Sequence, residues 1–102
     1  MRTILKVSMP VEKSNQAIKD GSLPQTMTGF VDEYKPEAAY FYAENGRRTA
    51  IFVFDLKDTA QIPAVAERFF MSLNAEVTLY PAMNTTDLKK GLETLATAKS
   101  MA

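Results

Sequence analysis

Lys6, Tyr40, Tyr42, Thr78 and Tyr80 form the set of side chains with the most chemical promise in this sequence. All five fall on one parity of the alternating stretches that contain them, so a single sheet face would carry them together. On such a face the hydroxyls orient a polar ligand, while Lys6 holds a negative group or acts as an acid. A competing reading makes the same residues a subunit contact, with tyrosine rings buried and their hydroxyls satisfied at the rim. Tyrosine is common in such contacts, and this second reading ranks ahead of the first.

Two further groups deserve the same weighing. Glu44 stands across a tight turn from Arg47, with Arg48 beside them, and paired arginines grip carboxylate or phosphate through forked hydrogen bonds. An exposed cross-strand ion pair, contributing at most about 1 kcal/mol, explains the same residues more simply. Asp55, Asp58, Glu67 and Arg68 could place carboxylates around magnesium, but their spacing matches no cation loop, and helix capping with solvated helix faces accounts for them. The scattered methionines read as core filling and terminal residues. Tyr34 reads as packing at the end of a helical stripe, within reach of a space between helix and sheet.

Missing residue types narrow the chemistry. With no His, a Ser-His-Asp arrangement is impossible and the commonest nitrogen ligand for zinc, copper or haem is gone. With no Cys there are no disulfides, thiolate nucleophiles or iron-sulfur ligands, which fits a cytoplasmic chain. No cofactor is expected. Twelve basic residues balance twelve acidic ones, which removes the positive field that draws proteins to nucleic acid or anionic lipid. Lys6 interrupts the first apolar run too early for a signal peptide, and nothing approaches the about 20 apolar residues of a membrane span. Asn84-Thr85-Thr86 matches a glycosylation sequon, yet Asn84 is better used as a helix cap.

The elements that must position these side chains follow from periodicity. Arg2 to Met9 alternates as a strand closed by Pro10. Val11 to Asp20 reads as a helix stopped by Gly21, and Ser22 caps a second one bearing Leu23, Met27, Phe30, Val31 and Tyr34. Lys35-Pro36 ends it. Two aromatic and β-branched runs, Ala38 to Glu44 and Arg47 to Phe54, flank Asn45-Gly46 and predict a hairpin with a type I′ turn. Asp58 to Gln61 resembles a capping box, but Pro63 delays the regular helix to about Ile62, after a short turn. Its stripe is Ile62, Val65, Ala66, Phe69 and Leu73. Ala75 to Tyr80 alternates as the last strand, halted by Pro81, and Asn84 caps a final helix from Thr85 to about Lys99 with Leu88, Leu92 and Leu95 on one side.

One domain is expected from 102 residues. A chain of this size hides roughly two thirds of its extended surface or a little less, so a subunit contact would add useful burial. The order β-α-β-β-α-β, followed by an extra C-terminal helix, predicts an α+β, ferredoxin-like domain: a four-stranded antiparallel sheet with helices on one face. The Phe and Ala residues of the hairpin, with Leu5, Val7, Val77 and Leu79, would meet the helices. The opposite face, with Ile4, Lys6, Ser8, Tyr40, Tyr42, Thr49, Ile51, Val53, Glu76, Thr78 and Tyr80, is too apolar to lie bare in water, and a second copy of the chain is its economical cover. Burial of about 700 Å² per subunit would make this a standard interface.

In this order of elements the chain, over residues 2 to 82, resembles the dimeric α+β-barrel proteins, whose sheets pack face to face. The segments Pro10-Val11-Glu12-Lys13 and Lys35-Pro36-Glu37-Ala38-Ala39-Tyr40-Phe41 are similar to those of small stand-alone members of that superfamily without assigned function. The resemblance implies a homodimer, and for some members monooxygenase, haem-degrading or peroxidase-like activity. Haem enzymes of that kind ligate iron through a His that this sequence lacks. The leading expectation is therefore a homodimer that binds a small organic ligand or a protein partner. A cofactor-independent enzyme using Lys6 and the tyrosines comes second, and a structural subunit that docks through its last helix comes third.

Overall fold

A computed structural model describes residues 1–101, with side chains as far as residue 98. The chain runs β1 (Arg2–Met9), α1 (Val11–Lys19), α2 (Ser22–Tyr34), β2 (Ala38–Glu44), β3 (Arg47–Asp55), a single 3-10 turn (Thr59–Gln61), α3 (Ile62–Leu73), β4 (Glu76–Pro81) and α4 (Thr85–Met101). Four strands form one sheet in the order β2-β3-β1-β4, every neighbouring pair antiparallel. This is an α+β fold with an open sheet, compatible with the ferredoxin-like expectation.

Alternation in β1 does what a period of two requires: Thr3, Leu5, Val7 and Met9 are buried, and the residues between them are not. Leu5 pairs with Phe52 and Leu79, and Val7 with Ala50 and Val77, so the expected apolar face exists as one surface. Helices α1, α2 and α3 cover it. Phe30 is the hub, fully buried, with its ring centroid 4.6 Å from Phe52, 5.4 Å from Phe54 and 5.6 Å from Phe69. Offset and edge contacts at such distances add to the area that the rings remove from water.

The turns explain the boundaries. Asn45 and Gly46 both have positive φ, 54° and 75°, as a type I′ hairpin demands. Asp58 and Gln61 form a reciprocal capping box, after which Pro63 sits in the first turn of α3, where its missing N–H costs nothing. Asn84 and Asp87 cap α4 the same way: Asp87 N–H donates to Asn84 Oδ1 at 2.8 Å, and Asn84 N–H donates to Asp87 Oδ2 at 3.1 Å.

Two boundaries differ from expectation. Ser22 is the first residue of α2 and not its cap, because Gly21, at φ 82°, turns the chain so that Ser22 N–H donates to Asp20 Oδ1 at 2.8 Å. Pro81 ends β4 from inside the ladder, opposite Thr3, and its lack of an N–H is tolerated because β4 is an edge strand.

Helix α4 leaves the domain. The molecule measures 60 × 28 × 19 Å, and its radius of gyration of 16.9 Å exceeds the about 13 Å of a compact domain of this length. Arg2 Nη1 bonds Asp87 Oδ2 at 3.0 Å and ties the first turn of α4 to β1, while Leu88, Leu92 and Leu95 further along are exposed.

Candidate functional site

The sheet face turned away from the helices is a grid set by register. One row reads Ala38, Val53, Ile4, Tyr80 across β2, β3, β1 and β4; the next reads Tyr40, Ile51, Lys6, Thr78; the third reads Tyr42, Thr49, Ser8, Glu76. All five expected site residues, Lys6, Tyr40, Tyr42, Thr78 and Tyr80, therefore share one surface. Among the described residues, no part of α4 roofs the tyrosines: Tyr40 is 65% exposed and Tyr80 52%.

At one end of this face two ion pairs each step over a strand. Lys6 on β1 reaches past β3 to bond Glu44 on β2, and Tyr42 Oη donates to the other carboxylate oxygen of Glu44 at 3.0 Å. Arg47 on β3 reaches past β1 towards Glu76 on β4, a looser contact of 3.6 Å. Between them lies a concavity of about 340 Å³ lined by Lys6, Ser8, Glu44, Asn45, Arg47, Glu76, Thr78 and Tyr80. The hairpin turn supplies one wall and the edge strand the other.

Hydrogen bonding sets the charges. The bond from Lys6, supported by that from Tyr42, lowers the Glu44 carboxyl below its ordinary range. The same bond to Glu44 raises Lys6, and the acceptor role of Glu44 raises the Tyr42 phenol. At neutral pH Lys6 is thus an ammonium, Glu44 a carboxylate and Tyr42 a protonated phenol. Such a site presents fixed charges and hydroxyls suited to holding a polar ligand. Its Lys6 and Tyr42 keep their protons more firmly than free side chains do, which disfavours both as neutral-pH bases.

Of the expected residues, Lys6, Thr78 and Tyr80 line the concavity, Tyr42 buttresses it through Glu44, and Tyr40 stands apart on the far edge strand. Ser8, Glu44, Asn45, Arg47 and Glu76 complete the lining. Alternation in the sequence places Ser8 and Glu76 on this face, and the Asn45-Gly46 turn places Glu44 and Arg47 at the hairpin tip. Adding β1 beside β3 merges the two groups.

The remaining candidates disperse. Glu44 and Arg47 are register partners, but their charges pair elsewhere. Arg48 points to the helix side, where Nη1 donates to Ser14 Oγ at 2.7 Å and Asn15 Oδ1 at 2.8 Å, so the two arginines do not form a clamp. Asp58 caps the 3-10 turn, and Arg68 bonds Glu33 at 2.5 Å while its guanidinium lies 5.3 Å from the centre of the Tyr34 ring. Tyr34 lines a separate surface cleft of about 530 Å³ with Glu33, Lys35, Asp55, Lys57 and Gln61. Among the described residues no three metal-ligating side chains converge, and no helix is long and apolar enough to cross a membrane. The chain matches no protein-family model, and no curated protein matches it.

Proposed function

We propose that this chain is a ligand-binding homodimer of ferredoxin-like topology, paired face to face through its open sheet in the manner of a dimeric α+β barrel. The observation that carries the reading is the exposed tyrosine face, on which Tyr40 and Tyr80 flank Ile4, Ile51 and Val53 with no cover from the described residues. An antiparallel sheet leaves a face wet when that face is polar, and this one is polar at the Lys6 end alone. The Lys6-Glu44-Arg47-Glu76 end then becomes the rim, where a small polar or organic molecule is held by charge and hydroxyls. A protonated Lys6 and a phenolic Tyr42 suit charge pairing with, and hydrogen-bond donation to, a ligand at this rim.

Sedimentation velocity at micromolar concentration tests the pairing. A dimer is expected for the native chain, and a monomer with unchanged far-UV circular dichroism for Tyr40→Glu combined with Tyr80→Glu. A native chain that sediments as a monomer throughout would overturn the reading.

A further inference from the structure

The two sides of the concavity at the Lys6 end are unequal. Towards β2 the bonding capacity is used: Glu44 accepts from Lys6 through one carboxylate oxygen and from Tyr42 through the other. Towards β4 it is open. Arg47 and Glu76 are exposed and stand 3.6 Å apart, beyond hydrogen-bond length, and neither side chain hydrogen-bonds any other described residue. The Ser8, Thr78 and Tyr80 hydroxyls of the same lining make no hydrogen bond to a described residue either. Register sets Ser8 beside Glu76 and Thr78 beside Lys6, so these groups share one surface. A concavity of about 340 Å³ falls at the small end of ligand pockets.

Charge selects among small ligands. Lys6 and Arg47 balance Glu44 and Glu76 around the concavity. A lone anion on Arg47 would stand beside Glu76, and a lone cation on Glu76 would stand beside Arg47, so each gains one attraction and meets one repulsion. A molecule carrying both signs gains both attractions. In an α-amino acid the ammonium nitrogen and a carboxylate oxygen lie about 3 Å apart by covalent geometry, close to the 3.6 Å between Arg47 and Glu76. Laid antiparallel against that pair, it meets each charge with the opposite one. The guanidinium fork takes the carboxylate, and the exposed protein pair costs little to loosen. The hydroxyls of Ser8, Thr78 and Tyr80 are free to serve its remaining donors and lone pairs. We propose that the concavity binds a small zwitterion of the α-amino-acid class, its carboxylate on Arg47 and its ammonium on Glu76. This rests on the reading of the rim as a ligand site and adds the ligand's chemical class and orientation.

Amide NMR spectra of the full chain, titrated with glycine, acetate or methylammonium at one ionic strength, test the assignment. Glycine is expected to give saturable shifts centred on Ser8, Asn45, Arg47 and Glu76, and the two singly charged probes to bind at least about tenfold more weakly. Arg47→Met and Glu76→Gln are each expected to weaken glycine binding by at least about tenfold. Acetate or methylammonium binding as tightly as glycine would overturn the zwitterion and leave the rim a ligand site. Glycine binding unchanged in both variants would overturn it too. No saturable shift from any of the three probes removes the zwitterion and the rim site together, while the pairing of sheets stands or falls separately by sedimentation.

Discussion

Lys6 and Glu44 are not neighbours in the sheet, yet their charges meet over β3, and the line between them crosses Thr49, which is 1% exposed on an otherwise open face. The bridge acts as a lid over that threonine and fixes one wall of the concavity.

Its pH dependence has two limits. Glu44 titrates below its ordinary 4.5 in the folded chain, so its contribution is complete above that value and is lost as pH falls through the folded pKa. Lys6 titrates above its ordinary 10.5, so its contribution is complete below that value and is lost as pH rises through the folded pKa. Lys6→Met is therefore expected to lower the urea midpoint by a constant amount between these limits and to converge with the native chain in strong acid and strong alkali. A midpoint difference that persists unchanged at pH 2 would refute the role given to the pair.

Phe30→Ala removes the hub of the aromatic core, which touches Phe52, Phe54, Phe69 and Tyr34. A loss of about 3–5 kcal/mol is expected, a large part of the about 5–15 kcal/mol that holds a domain together. Equilibrium denaturation at fixed protein concentration measures it.

Gly46→Ala probes the turn. A Cβ there meets no other atom within 4 Å, so the cost comes from φ 75° alone and is expected to be about 1 kcal/mol. A shift near zero in the denaturation midpoint would show that the hairpin adopts another turn.

Arg48→Met leaves the buried Ser14 hydroxyl with its bond to Val11 O at 3.2 Å but without the guanidinium donor. A loss of about 1–3 kcal/mol is expected, with faster amide exchange concentrated in α1. Uniform exchange across the sheet would argue against a local anchor.

What could be read beforehand was whatever short-range chemistry decides. Asn45-Gly46 fixed the hairpin register, and the register put Tyr40 opposite Ile51 and Tyr42 opposite Thr49, as the structure has them. Pro63 forced the 3-10 turn ahead of α3. The partners of Glu44 and Arg47 were out of reach, because they depend on which strands lie side by side, and strand order arises from contacts between distant parts of the chain. Nearest-neighbour logic paired the two with each other, whereas each reaches across a strand to a residue outside the hairpin. The heading of α4 was equally hidden: its stripe reads the same whether the helix lies on its own sheet or projects from it.

Asp87 Oδ2 accepts both from the Asn84 amide that starts α4 and from the Arg2 guanidinium, and Arg2 Nε is held in turn by Glu37 at 2.7 Å. One oxygen atom thus serves as the rudder post of the last helix, and the opening strand holds the tiller. A small change at residue 2 would be magnified by leverage into a wide swing of the far tip.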